Sequence, residues 1–247
     1  MAVTSALDLV GFDADDTLWR SQDYFDAAQL EFEAIVGGYV DLEQGDTQAR
    51  LYAVESRNIG TFGYGVKGMA LSMIEAAVDI TSARISATDL RRIVGMAKDM
   101  LHHPVELLPG IVEAVHAIAA RHRVVLITKG DLFHQERKVA ASGLGEVFHR
   151  IEVVSEKHPS TYVRVLAECG VAASRFAMVG NSLRSDIAPV LALGGWGVHM
   201  PYHVTWVHEA AVEVDADAPR LRTVAAPSEL PAAIESIDAG KPFGNAS

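Results

Sequence analysis

The chain has 247 residues, of which 49% are apolar, and this length fits one large domain or a core with a small accessory domain. Its 21 basic and 32 acidic residues give a net charge of −11, which disfavours binding to nucleic acid or to an anionic membrane surface. The single cysteine, Cys169, excludes an internal disulfide and a thiolate metal site. The N-terminal residues lack the pattern of a signal peptide and no apolar run is long enough to span a membrane, so we expect a cytoplasmic protein.

Short apolar runs alternate with helical patterns over most of the chain. The runs lie at 7–12, 124–127, 151–154, 176–179 and 197–200, and helices are predicted at 110–120, 132–141 and 162–169. Nearly continuous apolar strands that alternate with helices are typical of a parallel sheet covered on both faces. The predicted fold class is therefore α/β, with a doubly wound parallel sheet.

Residues 20–104 interrupt this alternation with helical patterns alone. Four helices are predicted there, at 22–36, 46–59, 67–80 and 87–100, and the links between them contain glycine. We therefore predict that residues 20–104 form an all-helical insert between the first strand and the rest of the α/β core, which consists of residues 1–19 and 105–247.

Polar side chains follow four of the predicted strands. Loops at the carboxyl ends of parallel strands meet at one edge of the sheet, so these side chains are expected to form one site. They are Asp13, Asp15 and Thr17 after the first strand, Thr128, Lys129 and Gly130 after the second, Lys157 after the third, and Asn181, Ser182 and Asp186 after the fourth. Each group alone is common in turns and caps, but four such groups in order favour a functional site.

The acidic residues after the first strand suit phosphoryl transfer. Asp13 can attack phosphorus as a carboxylate nucleophile, which splits hydrolysis into two displacements through an acyl phosphate. Asp15 can protonate the leaving oxygen and then take a proton from the attacking water. Mg²⁺ prefers oxygen ligands, so two carboxylates and a backbone carbonyl suit it as the cofactor.

The next segments can bind the phosphate group. The Thr128 hydroxyl and the amides of Lys129 and Gly130, close to a helix start, can hold phosphate oxygens. Lys157 can neutralise both the phosphate and the Asp13 carboxylate as a point charge. Charge stabilisation on the transferring group is the main source of catalysis in such reactions, so we expect these residues to form the phosphate site.

Taken together, these motifs resemble those of the haloacid dehalogenase (HAD) superfamily. The segment Asp13-Ala-Asp15-Asp-Thr17 looks like its first motif, Thr128 like the second, Lys157 like the third and residues 180–186 like the acidic fourth. The resemblance covers residues 5–19 and 105–237. It implies that residues 1–19 and 105–247 form a Rossmann-like α/β catalytic core and that the helical insert, residues 20–104, is a mobile cap that follows the first motif. It also implies the phosphatase branch, because the dehalogenases proper typically lack an acid at the position of Asp15.

The fourth motif departs from the family pattern at one position. Asn181 stands where the family usually has aspartate, and an amide oxygen can bind Mg²⁺ but brings no charge. The expected metal ligands are Asp13, Asp15, Asn181 and Asp186. We therefore expect functional but weaker metal binding, with Asp186 indispensable.

Residues outside these motifs receive weaker assignments. Substrate specificity is assigned to Arg20, Arg57, Tyr64 and Lys67, although helix-surface roles stay open for each. The histidines after the last predicted strand, His199, His203 and His208, are expected to pack or to lie at the surface rather than to bind metal. Pro201 argues against a helix that would place the first two of them one turn apart.

These features predict a Mg²⁺-dependent phosphomonoesterase that acts on a small organic phosphate through an aspartyl-phosphate intermediate. The expected partner is a small-molecule phosphate, with neither nucleic acid nor a membrane, and a homodimer is left open. A haloacid dehalogenase-type enzyme or a phosphomutase of the same fold remains an alternative. An alternative of another class is a phospho-acceptor regulatory module, which would need neither Asp15 as an acid nor a cap.

Overall fold

The computed structural model describes residues 6–41, 46–204, 206–209, 212, 214–241 and 243. Within them, one parallel sheet contains β1 (Leu9–Phe12), β2 (Arg123–Lys129), β3 (Arg150–Val154), β4 (Phe176–Gly180), β5 (Trp196–His199) and β6 (Leu221–Thr223). The order across the sheet is β3-β2-β1-β4-β5-β6, so the direction of winding reverses between β1 and β4. The predicted α/β class with a doubly wound parallel sheet is confirmed.

The helices lie close to their predicted positions. In the first part of the chain they are α1 (Gln22–Gly37), α2 (Asp46–Phe62), α3 (Val66–Ile80) and α4 (Ala87–His102). Those that follow are α5 (Ile111–Ala119), α6 (Leu132–Ser142), α7 (Pro159–Cys169), α8 (Ala188–Ala192) and α9 (Leu230–Asp238). None of the helices in the described ranges combines the length and the apolar character that a membrane crossing requires.

Alternate residues of the central strands pack on opposite faces of the sheet. Val10 and Phe12 of β1 belong to an apolar cluster that includes residues of α5 and α9. Leu9 belongs to a second cluster, which includes Tyr162 and Val165 of α7. Both faces are therefore covered, and the carboxyl ends of the strands carry the polar residues described below.

β1 begins two residues later than the apolar run predicted. Leu7 is buried, as the run requires, but its backbone N–H donates to Asp238 Oδ1 at 3.1 Å. The pairing of β1 with β2 and with β4 begins at Leu9.

The described residues divide into two compact units. One contains the sheet and comprises residues up to 22, residues 105–129 and residues from 137 onward. The other comprises residues 23–104 and 130–136, and it contains α1 to α4. Phe32, Met73 and Ile93 belong to the separate apolar core of this helical unit. The cap limits 20–104 remain a prediction, because a cap is defined by its action over a site.

Candidate active site

Lys157 lies between two buried carboxylates at the carboxyl ends of the central strands. Its Nζ is hydrogen-bonded to Asp13 Oδ1 and, at 2.6 Å, to Asp186 Oδ1. Asp13 follows β1, and its backbone N–H still donates to Val179 O at 2.9 Å, so the sheet holds it in place. Lys157 is 3% exposed and Asp186 is fully buried. The structure thus brings together predicted residues from three separate segments.

The charges of this cluster are not balanced. Burial raises the pKa of Asp13, the Lys157 ammonium lowers it, and the charge of Asp186 adds to the rise. Burial likewise raises the pKa of Asp186 against the effect of Lys157. For Lys157, burial disfavours the charged form, but the two carboxylates hold its pKa above the usual value. Because two carboxylates share one ammonium, further positive charge here would stabilise their ionised forms.

Thr17 joins the loops that follow β1 and β4. Its Oγ1 lies 3.2 Å from Asp13 Oδ2 and 3.3 Å from Asn181 Oδ1, and it can donate its one proton to either. It also accepts the backbone N–H of Asn181 at 3.1 Å. Thr17 therefore connects the Asp13 carboxylate and the Asn181 amide across the point where the sheet reverses its winding.

Gly180 makes room for the buried carboxylate of Asp186. A Cβ on Gly180 would lie 2.6 Å from the Cβ of Asp186 and closer still to its carboxyl group. Asp186 belongs to a π-helical turn, Leu183–Ile187, for which Ser182 is the N-cap. The backbone N–H of Ser182 donates to Asp186 Oδ2 at 3.0 Å. Asp186 therefore fills the space that any side chain at position 180 would need.

These donors fit Mg²⁺, which prefers oxygen ligands. The carboxylates of Asp13 and Asp186 bind the same ammonium, and the Asn181 amide oxygen shares the Thr17 hydroxyl with Asp13. Within the described ranges, no group of three or more His, Cys, Asp or Glu side chains is gathered as a metal site. The side-chain donors of this cluster are two carboxylates and one neutral amide. The assignment of Asp13, Asp15, Asn181 and Asp186 as metal ligands stays a prediction.

The Asp15 carboxylate is held by two side chains. Its Oδ1 accepts the indole N–H of Trp19 at 2.6 Å and forms an ion pair with Lys138 of α6. Lys138 Nζ also lies 5.8 Å from the centre of the Trp19 ring. Lys138 was not among the predicted site residues, because a lysine within a helix has no local pattern that marks it.

The segment after β2 contributes a buried hydroxyl and a paired lysine. Thr128 is 1% exposed, and its Oγ1 donates to Lys129 O at 3.3 Å. Lys129 Nζ donates to Ser185 Oγ at 2.9 Å and forms an ion pair with Glu209. Gly130 has φ +132, a conformation that L side chains rarely adopt. The phosphate-binding role of this segment stays a prediction, and Glu209 was not predicted.

Three of the four residues assigned to substrate specificity form ion pairs. The pairs are Arg20–Glu106 (3.9 Å), Arg57–Glu75 (3.3 Å) and Lys67–Asp131 (3.0 Å). Tyr64, the fourth residue, is partly exposed. Exposed pairs of this kind contribute little to stability. The specificity role of all four residues stays a prediction.

His199 supports the loop that carries Asn181. Its Nε2 lies 3.1 Å from Asn181 O, and since a carbonyl only accepts, this ring nitrogen carries the proton. Burial lowers the pKa of His199, which favours the neutral ring. His203 stacks on Tyr202 with ring centres 4.2 Å apart, and the side chain of His208 lies outside the described residues.

Asp16 shapes the turn between the first strand and α1. It adopts a left-handed conformation (φ +63), and its Oδ1 accepts the backbone N–H groups of Ser21 at 2.8 Å and Gln22 at 3.0 Å. Burial raises the pKa of Asp16 to about 7, against the effect of these hydrogen bonds and with that of the Asp15 charge. Its ionised form is thus destabilised in the folded protein.

We expect Asp16→Asn to stabilise the protein at pH 8. Asp16 ionises near 3.8 in the unfolded chain and near 7 in the folded one, so between these values the folded state binds more protons. The free energy of unfolding therefore falls as pH rises through this window. An asparagine side chain does not ionise, so the variant avoids this loss. Asparagine keeps an acceptor oxygen and tolerates the left-handed conformation. The gain should be on the order of 2 kcal/mol at pH 8.

Thermal melts of both proteins at pH 4, 6 and 8 measure this effect. The gain should shrink towards pH 4, because Asp16 is protonated there in the folded protein and, close to its pKa of 3.8, about half protonated in the unfolded chain. An equal gain at every pH would show that the carboxyl charge of Asp16 is not its source.

Comparisons with known proteins show the family of this chain. A model of the haloacid dehalogenase-like hydrolase family matches residues 7–194, which include Asp13, Thr128, Lys157 and Asp186. Among proteins of curated function, none matches the sequence.

Solved structures include similar chains. A haloacid dehalogenase-like family hydrolase from Xanthomonas campestris is 56% identical, with a TM-score of 0.86 over 96% of this chain and 94% of that one. A 2-haloacid dehalogenase from Pseudomonas syringae is 20% identical, with a TM-score of 0.61 over 93% and 98%. A HAD hydrolase from Bacillus subtilis bound to magnesium is 15% identical, with a TM-score of 0.60 over 92% and 98%. The last two share the fold alone. From the family match and the Xanthomonas structure, the chain belongs to the haloacid dehalogenase-like hydrolases.

Proposed function

We propose that the protein is a Mg²⁺-dependent phosphomonoesterase that hydrolyses a small organic phosphate through an aspartyl-phosphate on Asp13. The observation that carries this proposal is the cluster in which Lys157 links Asp13 to Asp186 beside the Asn181 amide. It combines a carboxylate nucleophile, a fixed ammonium and a set of oxygen donors at the carboxyl ends of the central strands.

In the first step, a carboxylate oxygen of Asp13 attacks phosphorus and the bond to the leaving alcohol oxygen breaks. Asp15 gives that oxygen a proton. In the second step, Asp15 takes a proton from the water that releases phosphate and regenerates Asp13. Lys157 stays charged throughout, since the carboxylates raise its pKa, and it offsets charge on the phosphoryl group.

When bound by Asp13, Asn181 and Asp186, Mg²⁺ would supply further charge neutralisation. Oxygens of Asp13 and Asn181 both lie within 3.3 Å of the Thr17 hydroxyl, which supports this set of donors. The Thr128 hydroxyl is buried at the end of β2, where it can donate to a phosphate oxygen.

The presence of Asp15 favours phosphate over halide chemistry. A reaction in which Asp13 attacks carbon and expels halide needs no acid to protonate the leaving group, whereas an alkoxide leaving group does. The carboxylate of Asp15 is held in place by Trp19 and Lys138, which suits a group that must act at a defined position.

A haloacid dehalogenase is the second candidate, and Asn181 is the observation that favours it. An enzyme that works without a metal ion does not need a carboxylate at position 181 in addition to Asp186. This chain has a neutral amide at that position. The two candidates differ in leaving group and in metal dependence, so one set of assays separates them.

The test is a panel of metabolite phosphates and L-2-chloropropionate, assayed for phosphate and for chloride release with Mg²⁺ and with EDTA. We expect phosphate release that requires Mg²⁺, with saturation above the micromolar range because Asn181 brings no charge. Asp186→Ala should lose activity, whereas Asp99→Ala, at an exposed position of α4, should not. Chloride release in EDTA would refute the phosphatase. Sub-micromolar saturation, or full activity of Asp186→Ala, would refute the assignment of the metal ligands.

A further inference from the structure

Glu209 connects another part of the chain to the candidate active site. It lies in the short 3-10 helix Val207–Glu209 between β5 and β6, and its side chain is only 10% exposed. Its Oε1 forms the ion pair with Lys129 and accepts the Ser185 hydroxyl at 2.8 Å. Its Oε2 accepts the Ser182 hydroxyl. A buried carboxylate with three such partners is well compensated for the loss of water.

The contacts of Glu209 determine the direction of the Ser182 hydroxyl. A hydroxyl has one proton, and here Ser182 donates it to Glu209 Oε2. Its lone pairs remain for the backbone N–H of Ser185, which donates to Ser182 Oγ at 3.0 Å and caps the π-helical turn. The Ser182 N–H in turn binds Asp186 Oδ2 at 3.0 Å. Glu209 is therefore linked to Asp186 through one capping residue.

Glu209 also anchors the segment after β2. Lys129 Nζ binds both Glu209 and Ser185 Oγ, so its side chain is tied to the turn that carries Asp186. Thr128 directly precedes Lys129 and donates its hydroxyl to Lys129 O. One carboxylate thus links the loops after β2, β4 and β5.

We propose that Glu209 is a positioning residue that holds the Asp186 turn and the Thr128–Lys129 segment in register without touching the substrate. The catalytic part of this inference rests on the proposed function, whereas the effect of Glu209 on the two segments does not. Loss of the carboxylate would free the Ser182 hydroxyl to rotate and would deprive Lys129 of this partner, so both segments would gain alternative conformations.

The first readout is hydrogen exchange in the metal-free protein. Glu209→Ala should speed amide exchange in residues 182–187 and 128–130 by about tenfold or more, because local opening becomes easier there. Glu209→Gln keeps an acceptor for one serine but loses the charge, so it should show a smaller increase. Glu235→Gln is the matched control, since it breaks an ion pair with Arg121 in which both side chains are more than half exposed.

The second readout is the dependence of phosphatase activity on Mg²⁺. We expect the Mg²⁺ concentration for half-maximal activity to rise about tenfold or more in Glu209→Ala, with most of kcat restored at saturating Mg²⁺. A general loss of folded protein would lower activity at every Mg²⁺ concentration and would not be rescued. Glu209→Gln should lie between Glu209→Ala and the wild type, and Glu235→Gln should match the wild type.

Each outcome decides a separate point. Unchanged exchange in both segments overturns the positioning role, whatever the activity. Faster exchange with an unchanged Mg²⁺ dependence overturns the catalytic part of the inference, because the turn of Asp186 would then not need Glu209 to bind metal. Faster exchange in a protein whose wild type releases no phosphate supports the effect on the two segments and refutes the proposed function instead. If Glu209→Ala does not fold, Glu209→Gln decides the same questions.

Discussion

Asp13→Asn is expected to abolish turnover, with a loss of about 10⁴-fold or more, while the fold stays intact. An amide oxygen is a poor nucleophile, so no aspartyl-phosphate can form and the first displacement fails. The fold should survive the loss of this carboxylate for two reasons. Burial raises the pKa of Asp13, so the folded protein already disfavours its charged form. The buried ammonium of Lys157 also keeps Asp186 as a partner. Phosphate release and thermal melting of the variant measure the two effects.

The control is Asp217→Asn, at an exposed position, which should keep full activity. Phosphate release by Asp13→Asn at the wild-type rate, with the substitution confirmed by mass, would refute the nucleophile assignment. Incubation of the wild type with acetyl phosphate tests the regulatory alternative. A phospho-aspartate that persists would favour the phospho-acceptor module, whereas rapid release of phosphate would favour the enzyme.

Gly180→Ala should damage both stability and activity. The added Cβ would lie 2.6 Å from the Cβ of Asp186, which cannot move away easily because Lys157 and the Ser182 N–H hold its carboxylate. We expect a loss of about 2 kcal/mol in the free energy of unfolding. Displacement of Asp186 should lower kcat/KM by about 100-fold. Denaturant unfolding and phosphate release measure these changes.

Gly95→Ala is the matched control for this change. Gly95 lies within α4, has an ordinary helical φ, and a Cβ there would meet nothing within 4 Å. Alanine should therefore stabilise the protein by about 0.5–1 kcal/mol and leave activity unchanged. If Gly180→Ala behaved in the same way, the close approach of Asp186 to Gly180 would have no energetic consequence.

The fold was predictable wherever apolar periodicity was long enough. β2 and β4 were predicted within two residues of their bounds, because their side chains are buried on both faces and read as continuous apolar runs. β6 was not predicted, since its three residues, Leu221–Thr223, include an arginine and are too few to show a pattern.

The candidate site was predictable only where its residues follow strands. Asp13 and Lys157 lie in loops that follow strands, Asp186 lies in the first turn after the loop that follows β4, and Lys157 contacts both carboxylates. Lys138 and Glu209 reach their partners from a helix and from an irregular segment, where nothing local distinguishes them from surface charges. Their contacts depend on tertiary structure, which a pattern of residues along the chain does not encode.

The position of β1 at the centre of the sheet has a consequence for how the protein folds. Leu9 pairs with Arg123 on one side and with Phe176 on the other, so both partners lie more than a hundred residues along the chain. Such distant pairings close large loops and form slowly. We expect the residues around Asp13 to come together only after the ribosome has released the chain beyond residue 186. The helices α1 to α4 have their own core and can fold earlier. Incomplete nascent chains should therefore lack the activity altogether, rather than show a weakened form of it.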